Sequence, residues 1–442
     1  MCSSDLHRDY LTNPTGAWLG AALLRVDRLL KVLEPSLPGR MRRRALERAL
    51  RWMKERLNGE DGLGGIFPAM ANAVMAMRAL GISPDDPGFQ LAKRSIRKLL
   101  VVRGTSAYCQ PCVSPVWDTA LASHALMEAG EPTAAPALSN ALDWLAARQV
   151  TDVLGDWSER RPGLRPAGWA FQYNDPHYPD IDDTAVVAMA LDRASVPAYD
   201  NVVDRALDWI MGMQSANGGW GAFDADNVAF HLNHIPFADH GALLDPPTAD
   251  VSARCVSMLG QLGYRSDHPV MSRALDYLRR EQEPDGSWFG RWGTNYIYGT
   301  WSALIALNAA GQDMHAGWVR KSVAWLITCQ NADGGWGESG TTYWKERRAE
   351  RGASTPSQTA WALLGLMAAG EVGHPAVRRG IDFLLDHPRI AERWHEDHHT
   401  AVGFPRVFYL RYHGYACYFP LWALARYRNL MRGTSRQVGI GM

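Results

Sequence analysis

Apolar residues recur every three to four positions in three segments that share one plan. They are RALDWIMGMQSANGGWG (Arg205–Gly221), RALDYLRREQEPDGSWFG (Arg273–Gly290) and KSVAWLITCQNADGGWGE (Lys321–Glu338). That period predicts an amphipathic helix, and the Asn-Gly or Asp-Gly step near its end predicts a turn. Each segment then presents a tryptophan six residues after a glutamine: Gln214 and Trp220, Gln282 and Trp288, Gln330 and Trp336. ALDWLAARQVTDVLGDW reads as a stretched relative running from Gln149 to Trp157. RGIDFLLDHPRIAERW reads as a decayed copy ending at Trp394, with Pro388 in the glutamine's place. Between them lie TAVVAMALDRA, SARCVSMLGQLG, WSALIALNAAG and TAWALLGLMAAG, dominated by alanine, leucine and methionine as buried helices are.

The repeating unit is therefore a helix pair of about 50–65 residues, a period that implies a stacked array. No strand-rich segment separates the units, so the expected class is all-α, as an open solenoid or as a toroid of inner and outer helices. The Gln-Trp ends read as structural. Glutamine would bond the exposed amides at a neighbouring helix start while tryptophan packs over it.

Composition narrows the function classes. Eighteen tryptophans in 442 residues fit the repeated use of indole just described. Lys+Arg and Asp+Glu balance at 46 each, so no global field draws nucleic acid or acidic lipid, and such partners need a local patch. No apolar run reaches the length of a membrane span, and no signal-peptide pattern precedes the first globular segment. Of the six cysteines only Cys109 and Cys112 stand close. A lone C-x-x-C reads as structural rather than as a zinc site, and the tally favours a reduced, cytoplasmic-side protein with no metal or cofactor.

The candidate chemistry lies in YPDIDDTA (Tyr178–Ala185), where Asp180, Asp182 and Asp183 fall within four residues. Like charges at that spacing push at least one pKa upward. Pro179 before the cluster and an apolar run after it place the acids at a helix start, whose dipole favours the anion. A single aspartate there would read as an N-cap. Asp250 and Arg254, spaced i,i+4, read as a helix ion pair.

DIDDTA, HIPF, DPPTADVSAR, PDGSWFGRWGTNYIYGT, GASTPSQTAWAL and GFPRVFYLRY, together with the repeats, resemble the squalene–hopene cyclases from about residue 7 to the C-terminus. The resemblance implies two α-barrel domains around a large apolar cavity, in a monotopic protein that draws a lipid from one membrane leaflet. It implies proton-initiated cyclisation of squalene to hopene or hopanol, with a second copy of the chain as a candidate partner. The alternatives are another class II cyclase acting on a different polyprenyl chain, or an inactive fragment. A prenyltransferase-like toroid would need a zinc site that no convincing ligand set supplies, and a non-catalytic scaffold leaves DIDDTA unexplained. Family members are longer, so the chain reads as roughly their C-terminal two-thirds. Residues 1–6 (MCSSDL) match nothing in the family and are expected to be non-native. Residues 7–101 would be a remnant of the inserted second barrel, and 102–442 the catalytic barrel.

The resemblance also assigns roles. Asp182 would donate the proton, with Asp180 and Asp183 as charge and hydrogen-bond partners. The family pattern places a histidine one turn after Asp250; here that position is Arg254, which can polarise the acid but cannot shuttle a proton. Aromatic faces stabilise cations without attacking them, a role that falls to Trp117, Phe171, Trp292, Tyr298, Phe404, Phe408, Tyr412 and Tyr415. Without the resemblance these aromatics read as core. Phe223 stands where the family has a tyrosine. Ile66 resembles a cavity-wall residue from the other domain, and Phe237 part of the constriction leading to the cavity. Gly16–Pro35, with Arg25, Arg28 and Lys31 and then Arg40, Arg42, Arg43 and Arg44, reads as an interfacial helix on anionic lipid or as an ordinary surface helix.

Overall fold

The structure is a computed structural model that describes residues 13, 15–59, 61–236, 243–434 and 438–442. The expectations for residues 1–6 and for Phe237 lie outside the described residues. The chain divides into two compact units. One comprises Met1–Pro115, Ala170–Tyr178 and Asn227–Asp245; the other comprises Val116–Trp169, Pro179–Asp226 and Pro246–Met442.

The first unit is built on α1 (Trp18–Leu33), α2 (Gly39–Glu55), α3 (Phe67–Ala79) and α4 (Pro87–Lys98). Asp86 starts α4 by accepting the Gly88 and Phe89 N–H groups at 2.9 and 3.1 Å. Lys54 holds the same carboxylate at 2.9 Å. A small core of Met53, Ala73, Met77, Phe89 and Ala92 joins α2, α3 and α4. Short antiparallel hairpins, Leu57–Asn58 with Gly62–Leu63 and Leu100–Arg103 with Ser106–Cys109, flank it. The face of α1 and of the start of α2 is different. Trp18 is 81% exposed, and Leu29, Leu30, Val32, Leu33 and Met41 are exposed as well. No helix among the described residues is long and apolar enough to cross a membrane.

The second unit is a run of helix pairs. They are α5 (Pro115–Ala129) and α6 (Ala135–Ala146), α7 (Ile181–Arg193) and α8 (Asp200–Gly212), and α9 (Ala249–Gln261) and α10 (Pro269–Arg280). Then come α11 (Tyr296–Ala309) and α12 (Gly317–Thr328), α13 (Pro356–Ala368) and α14 (Pro375–Asp386), and finally α15 (Tyr415–Arg432). The odd-numbered helices are the more buried ones; α7 is buried at every residue from Ile181 to Leu191. They neighbour one another in the order α7, α9, α11, α13, α15. Helix α5 closes the circle. His124 Nε2 lies 3.1 Å from the Val186 carbonyl of α7, and Asn429 of α15 donates to the Glu128 carbonyl at 2.8 Å.

The inner helices run in one direction, because starts meet starts and ends meet ends. Trp117 donates to Tyr415 at the starts of α5 and α15, while Gln261 donates to Met189 O at the ends of α9 and α7. At Gly260 a Cβ would lie 2.6 Å from the Ala309 carbonyl, so only glycine lets α9 and α11 approach this closely. Of the two architectures the pattern allowed, the closed α/α ring is the one formed.

The Gln-Trp ends lock the ring by a route different from the expected one. Each glutamine amide donates to carbonyls rather than accepting from amides. Gln214 Nε2 reaches Gly218 O and Val270 O, both at 2.9 Å, and Gln330 Nε2 reaches Gly334 O and Ala376 O, both at 2.8 Å. One carbonyl belongs to its own turn and the other to the first turn of the next outer helix. The glutamine oxygen then accepts from an arginine there, Arg273 or Arg379. Each tryptophan Nε1 donates to a last-turn carbonyl of its own outer helix, one of the orphans a helix end leaves open. Trp220 to Ile210, Trp288 to Leu278, Trp336 to Leu326 and Trp394 to Leu384 all span ten residues, at 2.7–2.8 Å.

In the stretched repeat that part is played by Trp169, not Trp157. Trp169 Nε1 donates to Leu145 O at 2.7 Å, while Trp157 packs edge-on against Trp209. A 3₁₀ turn at Asp156–Glu159 lengthens the connection, so the closing indole arrives later in the chain.

Two substitutions weigh these locks. Trp336→Ala is expected to lower unfolding free energy by about 3–5 kcal/mol, as other buried-indole truncations do. Gln330→Ala, which removes the side-chain donor from two buried carbonyls and the acceptor from Arg379, is expected to cost about 1–3 kcal/mol. Urea denaturation followed by far-UV circular dichroism reads both.

Candidate active site

The inner-helix starts gather the acids. At α7, Asp180 is the N-cap: its Oδ1 accepts the N–H groups of Asp182 and Asp183 at 2.7 and 3.2 Å. The open donors of the helix start are thereby taken by Asp180, and Asp182 and Asp183 sit in the first turn without that compensation. Both are buried, and Oδ1 of each has no hydrogen-bond partner among the described residues.

Burial therefore governs their charge. It pushes the Asp182 carboxyl up to about 7, against the attraction of Arg254 and with a further push from Asp250. Relative to an ordinary aspartate that is a penalty on the anion on the order of 4 kcal/mol. A helix dipole contributes only about 0.3–2 kcal/mol in the opposite direction, so desolvation wins. Asp183 is raised well above the usual range by burial and then by Asp180, Asp182 and Asp118.

Arg254, on α9, is fully buried. Its Nε lies 3.6 Å from Asp182 Oδ1, and its Nη2 donates to the Tyr298 hydroxyl at 3.3 Å. The guanidinium lies 4.2 Å from the Trp301 ring centroid and 5.5 Å from that of Tyr298. The i,i+4 pairing of Asp250 with Arg254 is not the arrangement found. Asp250 Oδ2 instead accepts the N–H groups of Arg291 and Trp292 at 2.7 and 2.9 Å, fixing the loop that leads into α11. Arg254 is left to face Asp182.

The aromatic candidates fall into groups. Trp117 donates through Nε1 to the Tyr415 hydroxyl at 2.9 Å, and Tyr412 lies 5.1 Å from Tyr415 by ring centroids. Phe223 meets Trp292 edge-on at 6.0 Å, and Arg291 lies over both Trp292 and Phe404. Phe408 pairs with Phe404 across a short antiparallel ladder. Phe223, Trp292, Phe404, Phe408 and Tyr412 are half-buried, whereas Trp117, Tyr298 and Tyr415 are fully buried. Phe171 and Ile66 belong to the first unit, both half-buried.

Sequence reasoning missed three participants. Asp118, whose charge acts on Asp183, accepts the Tyr418 hydroxyl at 2.8 Å. Trp301 and Trp361 stack at 5.9 Å with an interplanar angle of 8°, beside the Arg254–Tyr298 contact. A signal was present: GTWSAL and QTAWAL each place an indole in the first turns of an otherwise Ala/Leu-rich inner helix. Among the described residues no group of three or more His, Cys, Asp or Glu is placed to hold a metal ion.

A closed ring of helix pairs, with acids at the inner-helix starts and one buried arginine facing them, places the chain in the class II terpene cyclase fold. The structure is similar to ent-copalyl diphosphate synthase from Streptomyces platensis, with a TM-score of 0.52 and 22% identity over 78% of this chain and 55% of that one. It is also similar to a substrate-bound variant of the type II terpene cyclase MstE from Scytonema, with a TM-score of 0.50 and 18% identity over 81% of this chain and 97% of that one.

Family models for the squalene-hopene cyclase C-terminal and N-terminal domains match residues 113–429 and 4–105. The chain is 56% identical over 425 residues to the squalene–hopene cyclase of Bradyrhizobium diazoefficiens, covering 94% of this chain and 64% of that protein. It is 54% identical to that of Zymomonas mobilis, over 94% of this chain and 65% of that protein. It is 40% identical to the dammaradiene synthase of Dryopteris crassirhizoma, over 95% of this chain and 65% of that protein. The chain belongs to the squalene–hopene cyclase family, and it spans about two thirds of the length of these curated relatives.

Removing the cation tests the pairing. Arg254→Met is expected to raise the Asp182 carboxyl above its value of about 7, because an attractive charge is lost while burial remains. Carbon-13 NMR of aspartate-labelled protein reads the shift. An unmoved Asp182 resonance would show that the two groups do not act on each other.

Proposed function

We propose that this chain carries the acid and the cation-stabilising wall of a squalene cyclase, which protonates squalene and closes it ring by ring to hopene or hopanol. The reading rests on one observation: Asp182 is a buried carboxyl pushed up to about 7, 3.6 Å from a fully buried guanidinium.

Protonating an unactivated alkene needs an acid that is loaded before the reaction and whose anion is stabilised after it. Asp183 meets the first condition, but three neighbouring carboxylates disfavour its anion. Asp182 meets both, since burial keeps its proton on and Arg254 stabilises the carboxylate left behind. The proton passes from the Asp182 carboxyl to one carbon of the terminal double bond, leaving a tertiary cation at the other. Each following double bond supplies the electron pair that forms the next ring bond and moves the charge on. The last cation loses a proton to give hopene, or captures water, which then sheds a proton, to give hopanol. Rings such as Trp292, Phe223, Phe404 and Phe408 offer negative faces without a nucleophilic oxygen to trap the charge, and Tyr412 adds a further ring face. Arginine cannot return the proton, so Asp182 is recharged from water.

The exposed apolar face of α1 and α2, with Arg40, Arg42, Arg43 and Arg44 beside it, supports a monotopic seat on the cytoplasmic side of an anionic membrane. On this reading residues 7–101 are what remains of the inserted barrel and 102–442 form the catalytic one. A second reading, cyclisation to another skeleton, draws on the 40% identity to dammaradiene synthase. The acid starts the reaction; the cavity wall decides where it stops.

Squalene conversion by membranes expressing the chain, analysed by gas chromatography–mass spectrometry, tests the activity. Pentacyclic products from the natural sequence and none from Asp182→Asn are expected. Products from both would remove Asp182 as the donor, and a different skeleton would select the second reading. Silence from a version completed to the relatives' full length would remove the cyclase activity.

The pH profile follows from the sign of the shift. The donor must be protonated, so conversion is expected to be level at acidic pH and to fall about tenfold per unit above about 7. For membrane binding, Leu29→Ser with Leu30→Ser is expected to weaken sedimentation with anionic vesicles.

A further inference from the structure

Two buried groups face each other in the second unit and stay unjoined. Asp182 Oδ1 and Arg254 Nε lie 3.6 Å apart, and neither has a hydrogen-bond partner among the described residues. Arg254 Nη1 is buried without a hydrogen-bond partner as well. A charge-assisted N–H···O bond between such groups closes to about 2.7–2.9 Å. A small shift of the guanidinium would make that bond, so another attraction must hold it off.

That attraction comes from α11. The guanidinium carbon lies 4.2 Å from the Trp301 ring centroid, well inside the range of about 6 Å over which a ring face attracts a cation. Tyr298 adds only a long bond, accepting from Nη2 at 3.3 Å. The indole is 1% exposed and is held by three other rings. It stacks on Trp361 at 5.9 Å, and it meets Tyr298 and Phe419 edge-on, each at 5.4 Å. A ring fixed in this way cannot follow the arginine, so its face sets where the guanidinium rests.

We propose that the Trp301 ring face holds Arg254 at a stand-off from Asp182, near enough to stabilise the anion left after proton transfer and too far to form the direct bond that would draw the proton off beforehand. Trp301 is thus a positioning residue, acting through Arg254. The use made of the proton rests on the cyclase reading above; the stand-off itself does not. A closer cation favours the anion, so losing the ring face must make Asp182 give up its proton at lower pH. The other groups around the acid keep their charge when Trp301 changes. On its own helix these are Asp180 and Asp183, on α9 Asp250 and Cys255, on α11 Tyr298 and on α15 Tyr415, while Asp118 of α5 acts on Asp183. Burial keeps the Cys255 thiol and both phenols neutral near pH 7.

The test needs no turnover. In the whole chain labelled with ¹³C at the aspartate carboxyls, the Asp182 resonance is assigned by its loss in Asp182→Asn, and its titration midpoint is followed. Trp301→Leu is expected to lower that midpoint by about one to two pH units, the size of one hydrogen bond to a charged group. Tetrafluorotryptophan at position 301 keeps the shape of the indole and weakens its negative face, so it is expected to lower the midpoint too, with thermal unfolding unchanged. This second variant decides the matter if Trp301→Leu does not fold. In an Arg254→Met background neither change is expected to move the midpoint. An unmoved midpoint with the fluorinated ring overturns the proposal. So does an equal fall in the Arg254→Met background, which is what water entering the vacated space would give. A folded chain that leaves squalene unconverted counts against the proposed activity, and the midpoints still decide the stand-off.

Discussion

The site depends on a competition for backbone N–H groups. Helices open with donors that need acceptors, and at α7, α11 and α13 the chain supplies acids to meet them. Asp180 takes those of α7, and Glu338 accepts from Asn295, Tyr296 and Ile297 at the start of α11. Glu396 accepts from Ser357 at the start of α13, and Asp250 from the loop before α11. With those donors occupied, Arg254 alone among the described residues favours the Asp182 anion. A carboxyl among carboxylates becomes the loaded acid because its neighbours have been given other work.

The ring makes that competition possible. Inner helices that run in one direction bring all their starts to one end, and the glutamine and tryptophan locks hold the outer helices that set the spacing. Arg254 is confined by the same packing. Tyr298 takes one of its N–H groups and Trp301 lies against its face, so its charge stays beside Asp182 rather than turning to Asp250 one helical turn away. Stability and chemistry draw on the same inner helices: Trp301, Trp361 and Phe419 form a contiguous aromatic core immediately behind the arginine.

A permanent cation in this place has a consequence. A histidine could hold the charge and also pass on a proton; a guanidinium does only the first. The acid is then tuned by a fixed charge and a fixed dryness, two quantities that packing sets.

The repeats, their turns and the buried character of the inner helices were legible in the sequence, because periodicity and Gly-containing turns are local properties. The acid cluster was legible for the same reason, since three aspartates in four residues are close in any conformation. What only the tertiary structure decided was partnership across distance. The sequence offered Asp250 to Arg254 at helical spacing, and ring closure gave it Asp182 from another helix. It offered Trp157 to Gln149, and the lengthened turn brought Trp169 instead. It offered no link between Asp61 and Asn174, whose N–H the Asp61 carboxylate accepts only in the folded first unit. Local pattern determines which elements form; which side chains face each other, and therefore which carboxyl keeps its proton, follows from how those elements pack.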